Sequence, residues 1–150
     1  MHRRHFLATA LLGSPLFLRA QRAQRAVPAM TVYKDANCGC CSAWITHVEA
    51  AGLTVTPRNV PDLNAIKRDL GVAARLASCH TGVLGKYLIE GHVPADLILK
   101  LWREQPAGRG LAVPGMPIGS PGMEVPGRAA ERYAVLLFTE RGETSVYATR

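Results

Sequence analysis

A strand–helix–strand–helix–strand–strand–helix order, read along residues 30–104, predicts an α/β fold of the thioredoxin-like kind. A second observation supports it. Three of the four cysteines, Cys38, Cys40 and Cys41, sit at the junction of the first strand and first helix, in N-C-G-C-C-S-A-W. The 150-residue length and 48% apolar content suit one domain with a real core, placed here at residues 30–150.

The elements follow in order. Met30–Lys34 (M-T-V-Y-K) carries the β-branched and aromatic residues of a strand. After a turn at Asp35–Gly39, Cys41, Trp44, Ile45 and Val48 recur at helical spacing, and Gly52 closes that helix. Trp44 falls on its apolar stripe and His47 on the solvent side. Leu53–Val60 reads as a second strand, and Pro57 places it at an edge or a bend. Asp62 can cap a helix running to Leu70, closed by Gly71. Thr81–Leu84 and Lys86–Ile89 read as short strands around Gly85, followed by a turn at Glu90-Gly91. Pro94 opens a helix as its first residue, with Asp96 in the first turn and Leu97, Ile98, Leu101 and Trp102 on its apolar face. Ala107–Gly127 is rich in Gly, Pro and Met and lacks periodicity, so it is expected to be a long functional or unstructured loop. Tyr133–Thr139 and Thr144–Thr149, joined through Arg141-Gly142, read as a C-terminal hairpin.

Residues 1–26 are set apart from the fold. A basic start (M-H-R-R), an apolar run from Phe6 to Leu18 and small residues at Ala20, Ala23 and Ala26 form the pattern of an export signal peptide. Arg3-Arg4-His5-Phe6-Leu7 resembles a twin-arginine signal, the alternative being an ordinary secretory one. The apolar run is too short to span a bilayer, so no stable membrane anchor is expected once the signal is cleaved. The expected location is the periplasm, where disulfides can persist. The full chain is +7, but five arginines and no acidic residue precede Met30, which leaves the remainder near +2. That charge is too small and too scattered for a nucleic-acid partner.

Four cysteines in an exported chain suggest two structural bridges. Cys38–Cys41 with Cys40–Cys79 would satisfy that arithmetic, but in a crowded knot. The Cys38/Cys41 pair at a helix start is also a redox arrangement, because free backbone N–H groups and the helix dipole favour thiolate there. Cys40 intrudes on that motif, and three adjacent thiols plus Cys79 make a soft ligand set. Soft thiolates select Cu(I), zinc or iron–sulfur clusters. Zinc prefers four tetrahedral ligands, commonly from two separated C-x-x-C-type pairs; the chain offers only Cys79-His80 in place of a second pair, so zinc is the runner-up. Cu(I) accepts low coordination numbers and bridging thiolates, so a polynuclear copper site is the better match. Met116 and Met123 are soft candidates from the loop, against a reading as apolar filler. His80 and His92 are candidate ligands or partners of ligands.

The chain also resembles a family of small bacterial periplasmic metal-binding proteins, long described as a domain of unknown function, that includes the copper-resistance protein CopG. K-D-A-N-C-G-C-C-S-A-W, S-C-H-T with K-Y-L-I-E-G-H-V-P-A-D-L-I, and G-L-A-V-P-G-M-P-I-G-S-P-G-M-E carry the resemblance, over about Met30–Glu124. It implies a thioredoxin-like fold and copper handling outside the cytoplasm. It also implies a Cu(I)–thiolate cluster on Cys38, Cys40, Cys41 and Cys79, with Met116 or Met123 nearby. A copper-linked oxidoreductase role proposed for the family is a further expectation, and a periplasmic copper donor, acceptor or redox partner is a candidate partner that no sequence feature identifies. A plain thiol–disulfide oxidoreductase using Cys38 and Cys41 is the rival, and it would leave Cys79 dispensable. The chain reads S-C-H-T where a thioredoxin carries its active-site proline, which counts against that rival. Residues 133–150 lie outside the resemblance.

Overall fold

A computed structural model describes residues 26–150. The expected export signal therefore lies outside the described residues. The first strand, β1 (Met30–Lys34), leads into helix α1 (Gly39–Ala50), and β2 (Val55–Asn59) follows. Next come helix α2 (Leu63–Asp69), a 3-10 turn at Ala74–Leu76, and strands β3 (His80–Leu84) and β4 (Tyr87–Glu90). Helix α3 (Ala95–Glu104), strand β5 (Gly110–Ala112) and strands β6 (Ala134–Phe138) and β7 (Thr144–Thr149) complete the chain.

All seven strands join one mixed sheet in the order β2-β1-β3-β4-β5-β6-β7. The β1–β2 and β4–β5 pairs are parallel and the others antiparallel. Pro57 sits on β2, the edge strand, where its missing N–H disturbs no inner ladder. Side chains alternate across the sheet, as a two-residue period requires. Leu84, Tyr87, Ile89 and Leu111 meet Trp44, Ile45 and Val48 of α1 and Leu97, Ile98 and Leu101 of α3 in the main core. Leu88, Ala112 and Phe138 face the other way, against Val72 and Leu76. Trp102 packs at the rim of the main core rather than within it.

Three local readings change. Pro94 is the residue before α3, not its first member. The glycine–proline stretch at 107–127 contains β5, which ties the C-terminal hairpin to the central sheet instead of leaving it separate. Three residues, Gly110-Leu111-Ala112, are too few to carry a readable period. Gly110 makes the pairing feasible, because a Cβ there would lie 1.9 Å from the Leu88 carbonyl oxygen. His47 is half-buried, and its Nε2 accepts a hydrogen bond from the Ala95 N–H at 3.2 Å. It thereby satisfies a free N–H at the start of α3, which Pro94 has no side-chain donor or acceptor to serve. Among the described residues, no helix is long and apolar enough to cross a membrane.

Candidate metal centre

The site is built where α1 begins. Cys38 caps the helix, and its Sγ accepts from the Cys41 N–H at 3.3 Å. Gly39, Cys40 and Cys41 form the first turn, which points Cys40 outward, half-buried, and drives Cys41 fully inward. Cys38 and Cys41 are joined by a disulfide, while Cys40 and Cys79 are free thiols. Cys79 arrives from the segment preceding β3, which pairs antiparallel with β1 and so ends beside the α1 start. The Cys40 Sγ is 3.5 Å from the Cys38 Sγ and 3.8 Å from the Cys79 Sγ. All four sulfurs lie within 4.8 Å of one another.

Cys79 also belongs to a second group. Its Sγ is 2.9 Å from the Nε2 of His92 and 3.4 Å from the Nδ1 of His80, and the three ligand atoms again lie within 4.8 Å of one another. Both histidines are fully buried. His92 Nδ1 is 2.8 Å from the Pro121 carbonyl oxygen. A carbonyl can only accept, so Nδ1 carries the proton and Nε2 turns its lone pair towards Cys79. The Cys79 S–H donates to that lone pair. His80 Nε2 is buried without a hydrogen-bond partner, which is costly unless something else engages it. The His80 ring lies 4.2 Å from the Trp44 ring, and Trp44 Nε1–H donates to the Val93 carbonyl at 2.9 Å. Trp44 thus walls the site off on the core side.

Burial sets the protonation states. Burial first, then the neighbouring Cys40, pushes the Cys79 thiol up to about 12. Burial, then His92, then Lys67, takes His80 down to about 3, so it is a neutral imidazole. Burial also lowers His92, against a partly offsetting hydrogen bond to Pro121. Neutral imidazoles are the form in which histidine ligates metals.

A buried ionic network holds Cys79 in place. Glu90 at the end of β4 accepts from Lys67 Nζ, from the Ser78 N–H at 2.6 Å and from the Thr81 hydroxyl at 2.6 Å. Lys67 also donates to Thr81 Oγ1 at 2.9 Å. Lys67 and Glu90 are almost fully inaccessible to solvent. Ser78 Oγ–H donates to the Gly115 carbonyl, which ties the segment to the Met-containing loop. That loop then returns across α1. Gly122 adopts a φ of +83°, and a Cβ there would lie 2.7 Å from Trp44 N and 2.8 Å from Cys40 O. Met116 is 52% exposed and Met123 is half-buried beside Gly122.

The sequence singled out all four cysteines, and the fold brings them together. His80 and His92 converge on Cys79, although sequence spacing alone did not link His92 to it. Lys67, Glu90 and Trp44 complete the surroundings. The sequence places Glu90 in a turn after the strand, whereas it is the last residue of β4, a strand buried along its whole length. The free Cys40 and Cys79 thiols, the Cys38 and Cys41 thiols that reduction of the disulfide would release, and two neutral imidazoles suit a soft or borderline metal ion. The carbonyl-bonded His92 and the unpartnered His80 nitrogen fit such an ion as well.

A family model described as a protein of unknown function, DUF411, matches residues 76–123. Two solved structures of copper resistance protein CopG are similar. One, form 2, is 51% identical with a TM-score of 0.76 and covers 81% of this chain and 97% of its own. The other, form 1, is 50% identical with a TM-score of 0.77 and covers 83% of this chain and 98% of its own. A search of curated protein sequences gives no match.

Proposed function

This chain belongs to the DUF411 family, the family of the copper resistance protein CopG, and we propose on that premise that it is an exported, periplasmic protein that binds Cu(I) at its cysteine cluster in copper resistance. The observation that carries the reading is the set of four sulfurs within 4.8 Å at a helix start. Once the Cys38–Cys41 disulfide is reduced, four thiolates at that spacing can bridge several Cu(I) ions. Cys79 lies 3.8 Å from Cys40 and 2.9 Å from His92, so it would be the thiolate best placed for sharing between ions. Met116 or Met123 can add a thioether from the loop.

The strand order β2-β1-β3-β4, with β1 parallel to β2 and antiparallel to β3, supports a thioredoxin-like core. Copper-linked redox chemistry follows from the same atoms. Bound copper would supply one-electron chemistry there: the Cys38–Cys41 disulfide could accept one electron from each of two Cu(I) ions, leaving two thiolates and two Cu(II). In reverse, the Cys38 and Cys41 thiolates could give two electrons to two Cu(II) ions as their disulfide closes.

One observation favours a second reading, a thiol–disulfide oxidoreductase. The closed pair has a half-buried Cys38 and a fully buried Cys41, the arrangement of an attacking and a resolving thiol. An anaerobic titration of the reduced protein with Cu(I), in competition with zinc and read by native mass spectrometry, separates the two. Several copper ions per chain, bound cooperatively and in preference to zinc, are expected. One copper or none, with tighter zinc or only a readily formed disulfide, would overturn the copper reading.

A further inference from the structure

Lys34, the last residue of β1, is only 6% exposed, and its ammonium makes one hydrogen bond, to the Asp35 carbonyl oxygen at 3.0 Å. None of the ion pairs among the described residues includes it. The Asp35 carboxylate is exposed and accepts the Asn37 N–H at 2.8 Å. Glu90, the buried carboxylate, is committed to Lys67, Ser78 and Thr81. A buried ammonium without a counter-charge is costly, so an anion is expected beside it in some state of the protein.

The surroundings of Lys34 identify that anion. The Asp35 oxygen that takes its Nζ also accepts the Cys38 N–H at 3.2 Å, so one atom joins the ammonium to the residue that caps α1. Met30, Val32 and Lys34 are the buried alternate residues of β1, and the first two lie in the main core with Trp44. The cross-strand partner of Lys34 is His80, the residue after Cys79. After burial, His92 and Lys67, the Lys34 charge helps to keep that imidazole neutral. The one group here that gains negative charge is the Cys38–Cys41 disulfide, when it is reduced. We propose that Lys34 is the counter-charge of the reduced Cys38–Cys41 pair, a positioning residue that favours the open form and makes the disulfide easier to reduce. The inference rests on the redox use of that pair, which the copper-linked and thiol-exchange readings share.

The hydrogen bonds assign the charge between the two sulfurs. Cys38 Sγ accepts the Cys41 N–H at 3.3 Å, which suits a thiolate. Cys41 Sγ is fully buried and 3.4 Å from the Cys79 carbonyl oxygen, which suits a thiol that donates. Reduction by a pair of external thiols balances on that basis. They give two electrons and close to their own disulfide as the Cys38–Cys41 bond breaks. One of their two protons stays on Cys41, the other goes to solvent, and Cys38 keeps the negative charge. Lys34 has a partner in that state and none in the closed one, so it biases the pair towards the open sulfurs that the four-sulfur set requires.

The test uses the metal-free full chain carrying Cys40→Ser, equilibrated anaerobically at neutral pH in graded ratios of reduced to oxidised glutathione and then alkylated. Intact mass counts one alkyl group on a closed chain and three on an open one. Lys34→Gln keeps a hydrogen-bond donor for Asp35 but removes the charge. It is expected to lower the equilibrium constant for opening by about tenfold, a fall of about 30 mV in potential. Lys34→Arg keeps the charge and should restore most of that loss. Urea denaturation supplies a second readout, in which Lys34→Gln should destabilise the reduced chain more than the oxidised one. Lys34→Met, also uncharged, takes its place should Lys34→Gln fail to fold. An unchanged potential in the uncharged variant, an equal fall in Lys34→Arg, or equal destabilisation of both redox forms would each overturn the proposal. No copper enters this experiment, so its failure leaves the copper reading to the Cu(I) titration above. The expected shift beside a failed Cu(I) titration would place Lys34 in the thiol-exchange reading instead.

Discussion

Cys79→Ser is expected to reduce the Cu(I) content of the reduced protein from several ions per chain to one or none, at least as severely as Cys40→Ser. The reason is positional. The Cys79 sulfur lies 3.8 Å from Cys40 and 2.9 Å from His92, so it is the atom common to both ligand groups. Serine at that position offers a hard oxygen that Cu(I) binds poorly. The fold should tolerate the change, because the hydroxyl is slightly smaller than the thiol and can still donate to His92 Nε2. The same variant separates the two functional readings. A thiol–disulfide oxidoreductase needs only Cys38 and Cys41, and its insulin-type disulfide reduction would survive Cys79→Ser. Copper content counted by mass spectrometry beside a disulfide-reduction assay gives both answers. A full copper load in Cys79→Ser would remove Cys79 from the site.

Glu90→Gln is expected to destabilise the protein by about 3–5 kcal/mol, because it leaves the Lys67 ammonium buried without its counter-charge. Lys67 and Glu90 have 5% and 0% side-chain exposure, so neither water nor salt can replace the lost partner. The effect extends to copper. Glu90 accepts the Ser78 N–H, and Ser78 immediately precedes Cys79. Weakening that anchor frees the segment that presents the shared thiol. Adding Lys67→Met to Glu90→Gln should recover much of the stability, since removing both charges removes the unpaired one. Copper loading should recover less, because the Ser78 anchor is still weakened. Chemical denaturation compared with copper content measures the two effects separately. A double variant that regains full loading would show that the network supports stability alone.

How far these features can be read from sequence depends on whether their cause is local. The α1 stripe of Cys41, Trp44, Ile45 and Val48 follows from helical period alone, and all four are buried. The Asp62 cap is equally local: its carboxylate accepts the Ala65 N–H at 2.9 Å. The C-x-C-C motif announces its chemistry by composition. Other features arise only when distant segments meet. In α2, the single buried residue is Lys67, a type that sequence logic places in water. Its burial depends on Glu90, twenty-three positions away. His47 looks solvent-facing on its own helix, and it becomes a partner only once the start of α3 packs against it. His92 stands out in the sequence as a candidate ligand, but the partners of its two nitrogens, the Pro121 carbonyl and the Cys79 thiol, come from distant segments. Strand β5 has three residues and no period of its own, so its pairing depends wholly on β4 and β6.

Copper-edge X-ray absorption of the reduced, Cu(I)-loaded protein tests the central claim most directly. The account predicts a first shell dominated by sulfur together with scattering from neighbouring copper ions, the signature of thiolates bridging several metals. A lone copper without a copper neighbour, or a first shell mainly of nitrogen and oxygen, would contradict it.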